Sequence, residues 1–275
     1  MPTHLTDAHF QEFCHKGYLI VHDFIAENQC QEMAAALRKL LKSWDEIRDS
    51  SPETCSDHCF FPYPEPCLNR AILHPAALDF ARRWHETDHL HYRPGVAMVR
   101  YPGFKGDSGK AHIDNGNNSL LPPTLSDRRH AQIMFWIFPE DVDEDQAPLR
   151  LIATADGQDL SKAERAAVPG GSVAIFHTYT WHAANDYLRV DGQRYSWSFG
   201  FGRADHYWEG VKHYTDQGHN SHFQVFIGTL TAKERETFWF PPPDHPYYTE
   251  QTLAALEAQY PGWNARNEYP RQRSG

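Results

Sequence analysis

From residue 89 onward the chain breaks into short runs rich in β-branched and aromatic residues, and this pattern limits the fold more than any other feature. The runs "HLHYRPGVAMVRY", "HAQIMFWIF", "APLRLIA", "GSVAIFHTY" and "RYSWSFGFG" are separated by Gly, Pro and Asp turn signals. No long helical pattern lies between them, so the crossovers that a parallel sheet needs are missing. The expectation is a mainly β fold with a mostly antiparallel sheet, closed as a barrel or jelly roll.

The flanks read differently. "LTDAHFQEFCHKG" predicts a short helix capped by Thr6 and halted at Gly17, followed by a β-rich apolar run. "ENQCQEMAAALRKLLKSWDEI" has Ala and Leu at helical spacing and predicts a helix packed on the outside of the sheet. Residues 50–70 mix Pro, Ser and Cys without a period and read as a loop or lid, before a helix over 74–88. Near the end, "TEQTLAALEAQ" predicts a helix capped by Thr249 and ended near Pro261. The 275 residues are read as one domain: a helical region and loop over 1–88, a β core over 89–210 and an extension over 211–275.

A net charge of −10 would repel both nucleic acid and an anionic membrane, so neither is expected as a partner. No apolar run reaches the ~20 residues that span a bilayer. Five cysteines, an odd number, and an opening without an apolar signal stretch point to a cytoplasmic protein, monomer or homodimer, that works on a small molecule. Cys55, His58, Cys59 and Cys67 fit no familiar zinc spacing and read as loop thiols.

The chemistry begins at "GKAHIDNGNN". In an extended strand residues i and i+2 share a face, so His112 and Asp114 can aim a nitrogen and an oxygen at one point while Ile113 turns away. A third ligand must come from elsewhere, and "VPGGSVAIFHTYTWHAAND" offers His182, with His177 as the rival. Two imidazoles and a carboxylate form the facial triad favoured by non-haem Fe(II), which leaves positions open for chemistry. Twelve residues further on, Arg194 and Ser196 share a strand face, with Tyr195 opposite; a guanidinium there can fork onto a carboxylate while the hydroxyl adds a hydrogen bond. Such a clamp beside an open metal suits a keto-dicarboxylate.

"HID", "APLRLI", "VPGGSVAIFHTYTWHAAND" and "RYS", with the opening "FCHKGYLIVHDFI", resemble the successive motifs of the phytanoyl-CoA dioxygenase-like family of Fe(II)/2-oxoglutarate oxygenases. The resemblance implies a double-stranded β-helix core of the cupin type, iron ligands at His112, Asp114 and His182, a salt bridge from Arg194 to 2-oxoglutarate, and O2 as second co-substrate. It favours His182 over His177, because "HAAND" matches better and supplies small neighbours. Gln132 stands where many members place a polar residue lining the co-substrate pocket. The chain departs from the pattern at "LIATADGQDL", where members often carry a Pro-Gly-Ser-His-like segment. Since halogenating relatives replace the carboxylate ligand by a small residue, an intact Asp114 implies hydroxylation or a related oxidation rather than chlorination; the expected reaction is hydroxylation of an unactivated C–H bond, with release of succinate and CO2.

Arg100, Tyr101, Lys105 and Lys110 stand just before the iron motif, with Arg128 and Arg129 after it. If these loops rim the mouth they form a positive patch for a small anionic or zwitterionic substrate, a carboxylate or phosphonate. The bland alternative is solvated loop charge. An apolar natural product held against the aromatic residues is the other substrate reading. A cupin-like hydrolase or isomerase that does not use 2-oxoglutarate, or a non-catalytic module that kept the barrel, is the alternative function; Arg194 speaks against the first and the intact ligand set against the second. Trp136, Trp181 and Trp197 read as packing, and "EDVDEDQ" as a solvated turn.

Overall fold

The computed structural model describes residues 5–49, 55–106, 109–114, 131–205 and 218–269. Thr6 and Gly17 bracket α1 (Asp7–Lys16) as the sequence predicts: the Thr6 hydroxyl accepts from the His9 amide, and Gly17 adopts a left-handed φ of 84°. The chain then enters β1 (Tyr18–Val21). The long helix expected next is divided into α2 (Glu27–Leu40) and α3 (Trp44–Ile47). Leu41 turns extended, and Ser43 starts a new helix through a reciprocal capping box with Glu46.

Residues 50–70 are not simply a loop. They contain β2 (Ser56–Phe60) and all but the last residue of α4 (Pro66–Ala71). The strand hides in the sequence because it is a half-exposed sheet edge and lacks an apolar alternation. Next come α5 (Pro75–His85), β3 (Leu90–Arg93), β4 (Val96–Arg100) and β5 (Ile133–Phe138). The short β6 (Arg150–Leu151) and β7 (Glu164–Arg165) precede β8 (Ser172–His177), β9 (His182–Ala183) and β10 (Arg194–Arg203). The C-terminal extension carries α6 (Ser221–Gly228), α7 (Ala232–Glu236), α8 (Glu250–Gln259) and α9 (Ala265–Glu268), with Thr249 capping α8.

The strands form two antiparallel sheets. A seven-stranded sheet runs β1-β8-β5-β10-β4-β2, with β3 paired to the far half of β10; a three-stranded sheet runs β7-β6-β9. Strand alternation divides the large sheet cleanly. Leu19, Val21, Phe135, Ile137, Val173, Ile175, Trp197 and Phe199 face the helices in one core. Tyr18, Met134, Phe138, Ala174 and Phe176 face the small sheet, where they pack with Leu149, Leu151, Val142, Ala166 and Val168 in a second, smaller core. This is a jelly-roll core with flanking helices, mainly antiparallel, as expected. The extension packs on the helical side through Phe223, Phe226, Ile227, Phe238, Leu253, Tyr260 and Trp263. Among the described residues no helix is long and apolar enough to cross a membrane.

Candidate metal centre

The backbones of His112 and His182 pair as an antiparallel bridge, with the His112 amide donating to the His182 carbonyl at 2.9 Å and the reverse bond at 3.0 Å. This brings two residues 70 positions apart side by side, with ring centroids separated by 4.3 Å. Asp114, two positions on, returns to the same side. One ligand atom from each of His112, Asp114 and His182 lies within 4.8 Å of the others, and no other group of three metal-binding side chains converges among the described residues. The His182 Nδ1–H donates to the Thr180 carbonyl at 2.9 Å, which leaves Nε2 with its lone pair directed at the site, 3.6 Å from Asp114 Oδ1. The donor set of two imidazoles and a carboxylate fits a divalent transition metal.

Burial pushes the Asp114 carboxyl pKa up, but the fields of His182, Arg93 and His112 outweigh it and hold the group below its ordinary range. Arg93 pairs with this carboxylate: its Nη1 lies 3.5 Å from Asp114 Oδ2. The sequence did not single it out. It ends β3 before Pro94, and only the pairing of β3 with β10 turns it inward.

His177 faces the other way. As the last residue of β8 it follows Phe176, whose ring packs on His182 at 4.9 Å, so His177 lies on the helical side, stacked on Trp84 at 5.6 Å. Its Nδ1 accepts from the Tyr179 amide, and burial lowers its pKa to about 4.

Arg194 and Ser196 share the inner face of β10, and Tyr195 is on the helical face, with its hydroxyl donating to the Leu41 carbonyl. Arg194 is buried, and among the described residues it has no ion-pair partner; its Nε and the Ser196 hydroxyl have no hydrogen-bond partner. Burial, and then Arg100 directly opposite on β4, push the Arg194 pKa down to about 9. Between this end of the sheet and the triad stands Trp136, opposite Ser198, whose indole N–H is also buried without a partner.

The remaining expected residues separate. Arg100 lies against Arg194 with its guanidinium over the Phe104 ring. Tyr101 points to the opposite face, into the helical core, where its hydroxyl donates to the Lys42 carbonyl at 2.6 Å, so it does not reach the inner face. Lys105 is exposed beside Asp186 at 3.4 Å, and Lys110 is exposed. Arg128 and Arg129 lie outside the described residues. Gln132 is fully buried one residue before β5, at the opposite end of the inner face from Arg194. Cys59 and His58 project to opposite faces of β2, and Cys55, Cys59 and Cys67 form no disulfide.

The family model described as "Phytanoyl-CoA dioxygenase (PhyH)" matches residues 13–188, well over half of the chain. The chain belongs to the PhyH family. Its fold is shared with the crystal structure of HygX from Streptomyces hygroscopicus with nickel and 2-oxoglutarate bound, at a TM-score of 0.57 and 14% identity over 74% of this chain and 89% of that one. SnoK, a non-haem α-ketoglutarate-dependent carbocyclase from nogalamycin biosynthesis, gives 0.56 at 17% identity over 80% and 94%. The epimerase SnoN from the same biosynthesis gives 0.52 at 15% identity over 72% and 82%. Comparison with curated proteins returns no match. Iron, 2-oxoglutarate and O2, expected from the sequence, are the cofactor and co-substrates with which the PhyH family works.

Proposed function

We propose that this protein is an Fe(II)/2-oxoglutarate-dependent oxygenase that hydroxylates an unactivated C–H bond of a small molecule. The observation that carries this reading is a buried guanidinium, Arg194, with no ion-pair partner among the described residues, on the same sheet face as three converging side chains of metal-binding type. His112, Asp114 and His182 would hold the metal, and the bound metal with its keto acid would supply the oxidising power.

What the chain itself does is bind, orient and exclude water. Leaving a charge in the interior without a counter-ion costs several kcal/mol, so a site that keeps Arg194 unpaired suits an incoming anion. A distal carboxylate would accept from the Arg194 fork and the Ser196 hydroxyl, and the Trp136 N–H would donate along the way. Thr180 fixes the His182 tautomer, and Arg93 restrains the outer oxygen of Asp114, so that Oδ1 is presented to the metal. Phe138, Phe176 and Met134 line the inner face and keep it dry.

Anaerobic addition of Fe(II) and 2-oxoglutarate should produce a weak visible charge-transfer band, and aerobic turnover with a substrate should release succinate and a product one oxygen atom heavier. Arg194→Met should remove the band at ordinary 2-oxoglutarate concentration while Fe(II) still binds. A folded wild-type protein without the band, or an Arg194→Met variant with unchanged 2-oxoglutarate demand, would reject the reading.

A further inference from the structure

The two oxygens of Asp114 have different neighbours. Oδ1 lies 3.6 Å from His182 Nε2, where the three ligand side chains converge. Oδ2 is instead 3.5 Å from Arg93 Nη1. The guanidinium beside Oδ2 is itself held in place. Arg93 is buried, ends β3 and stands opposite Gly200 of β10. Gly200 also stands opposite Met134 of β5, and a Cβ on it would lie 2.5 Å from Met134 Sδ, so the missing side chain lets the thioether lie against the strand. Arg93 Nη1 donates to that sulfur. The same nitrogen carries two hydrogens, and so can meet the sulfur with one and the carboxylate with the other. Thioether sulfur is a weak acceptor: it fixes where the guanidinium sits and leaves the carboxylate as its strong partner.

The consequence for a bound metal follows from counting positions. A carboxylate binds a divalent ion through one oxygen or chelates it through both. Two imidazoles and one carboxylate oxygen leave three positions of an octahedral ion open; a chelating keto acid takes two, and one is left for O2. A second oxygen from Asp114 would take that last position. Arg93 opposes this closure, because Oδ2 would have to leave a charge-assisted contact, and the buried guanidinium would lose the carboxylate that the described residues offer it.

We propose, resting on the oxygenase reading above, that Arg93 is a positioning residue that keeps Asp114 a one-oxygen ligand and so leaves a coordination position open for O2. Met134 and Gly200 act one step further out, by fixing the guanidinium. Loss of the cation then has two effects of opposite sign. Asp114 closes on the metal with both oxygens, free of a neighbouring positive charge, and the metal binds more tightly; the same closure fills the place that water or O2 needs. An outer partner that only orients a ligand behaves differently, since its removal weakens metal binding.

The test uses the full chain loaded with Mn(II), whose effect on water-proton relaxation counts the exchangeable water on the metal. With saturating 2-oxoglutarate the wild-type protein should keep one such water, and Arg93→Met should show none. Titration without 2-oxoglutarate should give a Mn(II) affinity about tenfold higher in Arg93→Met than in wild type, the usual size of an outer-partner effect but with the sign reversed. Nitric oxide, a stand-in for O2, should bind the Fe(II)/2-oxoglutarate form of the variant about tenfold more weakly, read by paramagnetic resonance. Arg93→Lys, which returns a cation to the same place, should restore the water and most of the nitric oxide affinity. A folded Arg93→Met that keeps the water, or one that binds Mn(II) more weakly than wild type, would overturn the proposal. So would a wild-type protein without the water, a measurement that needs no variant to fold. If the wild-type 2-oxoglutarate band fails, the oxygenase reading falls by itself; the Mn(II) affinities, measured without keto acid, still decide the role of Arg93.

Discussion

Arg194 carries its charge into the interior with no carboxylate beside it among the described residues, and Arg100 faces it from the next strand. A residue kept in that state for a ligand should be a burden when the ligand is absent. Arg194→Met is therefore expected to raise the stability of the ligand-free protein by about 1–3 kcal/mol, since uncompensated buried charge is commonly replaced at a gain. Denaturant melts without and with 2-oxoglutarate would measure this; a destabilised variant would mean that the guanidinium has a structural partner. His177 makes a different prediction. Burial lowers its pKa to about 4, against an ordinary value of 6.5, so the unfolded chain takes up its proton first as pH falls. Stability from the neutral ring is complete above pH 6.5 and is lost as pH falls towards about 4, by roughly 3 kcal/mol from this residue. In His177→Gln that part of the acid sensitivity should vanish, which urea melts at pH 7 and pH 4 would show; an identical pH slope in the two proteins would exclude it.

At the scale of elements, the decisive fact is strand parity. Phe176 and His177 are neighbours on β8, yet one packs on the His182 imidazole and the other on the helices. Parity was legible wherever the sequence alternates, as in "HID" and "RYS", and so the triad, Arg194 and Ser196 could be placed on common faces before any coordinates. Tyr101 breaks the run of basic neighbours for the same reason: it is one residue out of phase with Arg100. What stayed hidden depends on pairing between distant segments. Arg93 comes within reach of Asp114 only when β3 pairs with β10, and β2 carries no apolar period because it is an edge. The phase of β1 against β8 is set at Gly17, where a Cβ would meet Thr154 Oγ1 at 2.5 Å and His177 Nε2 at 2.8 Å on a left-handed backbone. Gly17→Ala should cost about 2 kcal/mol or more, and a melt within a few tenths of wild type would show that the junction can relax.

Across the whole molecule, helices and extension lie on one side of the large sheet and the chemistry on the other. The extension is bound to that side by more than aromatic packing: Arg235 is fully buried, pairs with Glu268, donates to the Ile227 carbonyl at 3.0 Å and lies 3.9 Å from the Trp263 ring centroid. It then passes the edge of β3, where the Tyr92 amide donates to the Thr237 carbonyl at 2.6 Å, and so delivers Trp239 to the inner side. Arg194 at one tip and Gly202 near the other belong to a single unbroken ten-residue strand. A rod of that kind works as a ruler: the spacing between whatever its two tips carry is set by the backbone and not by the loops around it.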